Sequence, residues 1–298
     1  MPVPMPAVFI GHGSPMNTID DNQFTRAWQR FGGLFANATH SRAMNDLGIY
    51  ATPKAILCVS AHWAPMTSGT AAMSSSSYLP GAASAPTGAT LVQASDNPTM
   101  IHDYSGFPPE LSRFRYPVAG APAVALRVAD LLRPMCAPAP VARTTTWGVD
   151  HGTWSVLAHV FPDANVPVAQ LSIDLTRPVA WHIEAGRRLA ILRLEGVLVM
   201  GSGNIVHNLG AIDWSVDAQA HPAAIRFHDH IVDAIERDDI DAIERWQEHP
   251  DAAYAAPTPE HFLPLLYVLG ARAKGERAKT ITDGYVYSSL SMYSVQFG

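Results

Sequence analysis

A strand that ends on a histidine held between two glycines constrains this chain most. Ala7-Val8-Phe9-Ile10 is a short apolar run of strand-forming residues, followed by Gly11-His12-Gly13-Ser14-Pro15. Such a run, stopped by glycine and proline, predicts a buried strand that breaks into a turn. Glycine tolerates positive φ and close backbone approach, so the spacing puts His12 on a tight turn at the strand's carboxyl end. In open α/β sheets that end is where ligands bind. One turn histidine can still be purely structural. Repetition decides the matter, because Ala55-Ile56-Leu57-Cys58-Val59-Ser60-Ala61-His62-Trp63 is a second apolar strand run ending on a histidine. Two rigid strands would then deliver two neutral imidazoles, donors that suit zinc, iron or copper.

The rest of the chain alternates strand and helix patterns. Apolar spacing predicts helices over 22–35, 121–132, 155–160 and 178–193, and strands over 166–173 and 197–200. A polar helix pair is expected over 222–237 and 239–246. A strongly apolar helix is expected to open at 257–270, with Thr258 as N-cap and Pro259 as its first residue. The tail, 285–297, reads as a closing strand or hairpin. Residues 64–98, rich in Ser, Ala, Gly, Pro and Thr, read as a long surface excursion. With no break in composition and no repeat, the expected architecture is α/β: one three-layer domain over 1–298, a central mixed sheet covered by helices on both faces.

Composition narrows the function classes. At 48% hydrophobic and 15% charged residues the chain buries a substantial core and is not disordered. A formal net charge of -6 argues against nucleic acid or an anionic membrane as partner. Two cysteines are too few for a disulfide framework, and Cys58 sits inside a predicted strand. The start lacks the basic and apolar regions of a signal peptide, and no apolar run is long enough to span a bilayer. A soluble cytoplasmic protein is the expectation.

Thirteen histidines are many for 298 residues, and their placement separates them. His12, His62, His207 and His261 each follow an apolar strand or open a helix beside Gly or Pro, and His151 lies in a glycine turn. His102, in the aromatic loop 101–108, is intermediate. His228 and His230 fall in a charged helix, and His40, His159, His182, His221 and His249 lie among surface or helix-edge residues. Gly201-Ser202-Gly203-Asn204 lacks the lysine of a phosphate loop, and neither Ser14 nor Ser60 sits in a G-x-S-x-G elbow. Glu260 and His261 are neighbours that would point about 100° apart on a helix. A glutamate ligand would make a two-histidine, one-carboxylate iron site, whereas a histidine ligand would make an all-histidine site suited to zinc.

Six blocks now carry a resemblance. They are Gly11-His12-Gly13-Ser14-Pro15-Met16-Asn17, Ser60-Ala61-His62-Trp63, Trp147-Gly148-Val149-Asp150-His151-Gly152, Gln170-Leu171-Ser172-Ile173-Asp174, Gly203-Asn204-Ile205-Val206-His207-Asn208 and Pro259-Glu260-His261. In this order they resemble the signatures of the DODA-type (4,5-DOPA) extradiol aromatic ring-opening dioxygenases of the class III LigB-like superfamily. The resemblance implies an oxidoreductase that opens a catechol ring with O2 to a muconic semialdehyde. It also implies a mononuclear metal at His12, His62, His207 and His261. Zn2+ is the metal usually assigned to DODA-type members, whereas related LigB-type enzymes use Fe2+ with a glutamate at the position of His261. By the same resemblance His207 is the acid/base and His151 lines the substrate pocket. Two other readings of the same ligands are a zinc-dependent amide or ester hydrolase and a non-enzymatic metal-binding relative.

Overall fold

The computed structural model describes residues 3–36, 48–65, 90–136, 140–215 and 218–298. His40 and most of the 64–98 excursion lie outside that set. The central sheet is built from β1 (Ala7–Gly11), β2 (Ala55–Ser60), β3 (Leu91–Gln93), β4 (Ala142–Thr144), β5 (Val168–Leu171), β6 (Val197–Gly203), β7 (Ala278–Thr282) and β8 (Ser294–Phe297). Its order is β4-β3-β5-β2-β6-β1-β8-β7. The middle strands β5, β2, β6 and β1 run parallel, while β3 against β5 and the β1-β8-β7 edge are antiparallel. The sheet is therefore mixed, as expected.

Alternation along each strand splits the core in two. Phe9, Leu57, Val59 and Val199 join one apolar cluster, while Val8, Ile10, Ile56, Leu198 and Met200 join the other. Side chains of a strand point to opposite faces in turn, so runs of apolar residues without a polar break require cover on both sides. The first cluster packs against α2 (Pro122–Leu132), α4 (Val179–Leu189), α5 (Pro222–Glu236) and α6 (Leu263–Ala271). The second packs against α1 (Gln23–Gly32) and α3 (His151–Val160). In α1, Phe24, Trp28 and Phe31 form the buried stripe, each contributing about 1.5–3 kcal/mol by burial. Asn22 starts this helix by accepting from Phe24 N and Thr25 N, while Thr25 Oγ1 accepts from Asn22 N.

Several expectations need correction. A three-residue strand, Leu91–Gln93, lies inside the stretch read as surface excursion and is fully buried in the sheet. The helix expected over 178–193 breaks after Leu189 and resumes as Ile191–Leu194. The apolar helix begins at Leu263, so Thr258 caps nothing and Glu260 and His261 sit in the turn before it. His182, expected among surface or helix-edge residues, and His228, expected in a charged helix, are both buried.

This arrangement brings three carboxyl ends together. β1, β6 and β2 are adjacent and parallel, so His12, the segment after Gly203 and His62 emerge side by side. The amino end of α3, with His151, closes over them.

Candidate active site

Each histidine is fixed by its own turn. The His12 amide donates to Gly203 O at 3.1 Å, and Asn17 Nδ2 donates to His12 O at 2.9 Å. Gly13 follows with φ +65°, and a Cβ there would run into Met292 Sδ. His151 is the first residue of α3, whose N-cap Asp150 accepts from Thr153 N. Asn204 N donates to His261 O at 2.8 Å, and no side chain fits at Gly203 because a Cβ would collide with that carbonyl.

Second partners set the tautomers. His12 Nδ1 lies 2.9 Å from Ser202 Oγ, which gives its own proton to Gly152 O and must therefore accept from the ring. Asp103 serves two rings: Oδ1 accepts from His151 Nδ1 at 2.8 Å and from His151 N at 3.1 Å, while Oδ2 lies 3.0 Å from His62 Nδ1. His261 Nδ1 sits 3.4 Å from Glu260 Oε1, whose other partner is the Thr258 hydroxyl at 2.6 Å. With all four Nδ1 atoms so engaged, the lone pairs fall on Nε2.

Those Nε2 atoms face one space. His12 Nε2 and His62 Nε2 are 3.2 Å apart. His12, His62 and His151 each offer a ring nitrogen, all within 4.8 Å of one another. The His261 ring centroid is 5.4 Å from that of His12 and 5.0 Å from that of His62, and its buried Nε2 has no partner. His207 lies flat on His261, centroids 3.4 Å apart. All five rings line one cavity of about 240 Å³, with Tyr104, Phe107 and Leu290 among its other walls. That is near the small end of ligand pockets, enough for a single-ring substrate.

Burial dominates the electrostatics. It pulls His12 and His207 well below the usual imidazole pKa, helped by the neighbouring rings, chiefly His62 for His12 and His261 for His207. Burial also brings His151 down to about 4 and lowers His261, in each case against a carboxylate. His62 differs: burial lowers it, but the charge and hydrogen bonding of Asp103 outweigh that and raise it. Burial works against ionising Asp103, yet His151 and His62 hold it well below the carboxylate range. Glu260 is likewise drawn down to about 2, with His261 overcoming burial. Asp150 goes the other way, to about 6, through burial and the Asp103 charge. Two imidazole lone pairs 3.2 Å apart repel unless a cation lies between them. A proton on His62 meets that need, and a metal ion replacing it would meet it equally.

The structure thus brings together every predicted site residue: His12, His62, His151, His207 and His261. Asp103, Ser202 and Glu260 orient all of these but His207, and only Glu260 is marked by the sequence, as a rival ligand. His102 stays outside the cavity, packed on Trp154 and Tyr104.

A buried set of imidazoles with convergent lone pairs, at the carboxyl ends of parallel strands, defines a site fit for a divalent metal. The chain belongs to the LigB family of extradiol ring-opening dioxygenases: the model of the catalytic LigB subunit of aromatic ring-opening dioxygenase matches residues 6–298. It is similar to the 4,5-DOPA dioxygenase extradiol of Escherichia coli K12, with 40% identity over 99% of this chain and 95% of that protein. The 4,5-DOPA dioxygenase extradiol of Beta vulgaris is 30% identical over 97% of this chain and 95% of its own length. A crystal structure of an uncharacterised Escherichia coli K12 protein aligns over 99% of this chain and 100% of that one, with TM-score 0.75 and 37% identity. No helix among the described residues is long and apolar enough to cross a membrane.

Proposed function

We propose that this chain opens the ring of a catechol, DOPA-like in having a side arm, outside its diol with O2, giving a muconic semialdehyde. A divalent ion, Zn2+ with Fe2+ as the alternative, would be held by His12, His62 and His261, with His207 as a displaceable fourth ligand. The convergence of the His12 and His62 Nε2 atoms, with the buried and unpartnered Nε2 of His261 beside them, carries this reading, since nothing in an apolar core requires it. His151 is close enough to join the ligands, but the resemblance assigns it to substrate. A cytoplasmic location and a single catalytic domain belong to the same proposal.

When bound, the ion would supply the Lewis acidity that lowers the pKa of the two catechol hydroxyls, and with iron a redox partner for O2. The remaining work falls to side chains. The Nδ1 proton of His151 is held by Asp103, so its Nε2 can accept a hydrogen bond from a substrate hydroxyl. His207, kept neutral by burial and by His261, takes the second phenolic proton on a ring nitrogen and returns it after ring opening. Tyr104 and Phe107 wall the ring and exclude water.

The test is metal analysis of protein purified without chelators, followed by anaerobic reloading with each metal, a catechol panel and then oxygen. Appearance of the ring-fission chromophore together with oxygen uptake is expected. Amide or ester hydrolysis without oxygen uptake would replace this reading by the hydrolase one, which the family does not favour.

A further inference from the structure

The cavity mouth has a composition of its own. Trp214 and Tyr287 both line it, with ring centroids 4.8 Å apart and planes 51° apart. Trp214 is 66% exposed, a large aromatic side chain left in water at a pocket entrance. Tyr287 has φ 54° and Ser288 φ 68°, two consecutive non-glycine residues in the left-handed region. Such strain persists where the surroundings enforce it, and it gathers at functional sites. Here Asp213 N donates to Tyr287 O and His221 N to Ser288 O, both at 3.1 Å, which pins the strained turn against the segment bearing Trp214.

Acidic groups stand closest to the aromatic pair at this mouth. Among the described residues lining the cavity there is no lysine or arginine, and the one carboxylate, Asp103, is engaged by His62 and His151. Arg115 acts on Tyr104 from outside, but its guanidinium is held by the carbonyls of Ser112 and Phe114. Acids flank the aromatic pair instead. Asp213 follows Ile212 of the lining, and Asp20 is near enough to Tyr287 to add to the upward shift that burial gives its phenol. At the mouth a protonated amine is attracted by two π-faces and by the charges of Asp20 and Asp213, whereas a carboxylate is repelled by those charges and meets no lysine or arginine among the described lining residues.

Resting on the dioxygenase reading, we propose that Trp214 and Tyr287 make this pocket select catechols whose side arm ends in an ammonium group and lacks a carboxylate. The diol end would be common to all catechols, so discrimination lies at the arm. Aminoethyl catechols are bound best, neutral alkyl catechols next, the zwitterionic amino acid near them, and carboxyethyl catechols worst.

Two unreactive probes test this by calorimetry on metal-loaded protein: 4-(2-aminoethyl)phenol and 4-(2-carboxyethyl)phenol. The amine should bind about tenfold more tightly at low salt, with the ratio shrinking as salt rises. Trp214→Leu should bring the two dissociation constants within about twofold of each other, by loss of the π-face. Equal or tighter binding of the acid by the unaltered protein would overturn the proposal, and so would a ratio unchanged by Trp214→Leu. Ring cleavage of the corresponding catechols is measured in parallel. An amine preference without cleavage of any catechol would sink the dioxygenase reading and leave the arm selection standing, while cleavage with an acid preference would do the reverse.

Discussion

The imidazoles of His207 and His261 lie face to face, 3.4 Å between centroids and 4° from parallel. Of the two, only His261 is anchored by a carboxylate. The His207 ring meets its own backbone rather than a carboxylate, and its position is set by backbone pairing, His207 N to Ala255 O at 2.8 Å and a bridge to Leu290. An anchored ring suits a permanent ligand, and an unanchored ring beside it suits a group that must move or exchange a proton. An all-histidine set of four would also leave a tetrahedral metal no open position. His207→Ala should therefore retain metal while ring cleavage falls about 10²–10⁴-fold, the usual loss for a general base. Metal content and turnover are read on one preparation. Outright metal loss would make His207 a structural ligand and move the acid/base role to His151.

Glu260 stands behind His261 and is not among the residues lining the cavity. Its Oε1 faces His261 Nδ1 and the Thr258 hydroxyl, so the carboxylate points at the far side of the ring. Glu260→Gln keeps an amide oxygen able to accept from Nδ1, so the protein should hold stoichiometric metal with an affinity lower by no more than about tenfold. Loss of stoichiometric metal on equilibrium dialysis would show that Glu260 is itself a ligand.

Asp103 carries a larger load, since one carboxylate fixes the tautomers of two rings. In Asp103→Asn one oxygen becomes an NH2 donor. That donor would force one Nδ1 to accept and push the ring proton onto Nε2, aimed into the metal space. Metal affinity should drop about 10–100-fold, the range typical of losing a group that orients a ligand. Competition against a chelator measures it, and an affinity equal to that of the unaltered protein would show that neither ring depends on Asp103.

Strand runs ending in histidine were legible because burial on both faces leaves an uninterrupted apolar signature, and β1, β2 and β6 carry it. The start of α6 was misread because two prolines compete for one signal. Pro259 looks like a first helical residue, but 258–262 close as a turn through Phe262 N to Pro259 O, and Pro264 opens the helix. β3 escaped notice because three residues in a Ser- and Ala-rich stretch carry no periodicity, and only the sheet around them gives them meaning. Asp103 lies in the aromatic loop 101–108, where no local pattern marks it. Its partner His151 is 48 positions away, a contact that no local pattern encodes. His12, His62, His207 and His261, by contrast, share a local form, His151 lies in a glycine turn, and the fold gathers all five.

His182 offers a test of the fold apart from the active site. It lies fully buried on α4, where its Nδ1 meets Tyr267 Oη of α6 at 3.0 Å across a tightly packed helix pair. Burial lowers its pKa to about 4, with Asp174 opposing. Its ordinary value is 6.5, so between those two pH values the unfolded chain binds a proton that the folded chain refuses. Stability is therefore full above about pH 6.5 and declines as pH falls toward 4, by up to about 3 kcal/mol from this residue. His182→Phe removes the titrating group. It leaves the Tyr267 hydroxyl unpaired, so the variant should be less stable at pH 7, by about 1–3 kcal/mol. Its urea midpoint should nevertheless depend less on pH between 6.5 and 4.5 than that of the unaltered protein. Identical slopes for the two proteins would show that His182 is not held neutral, and that the acid sensitivity comes from other groups.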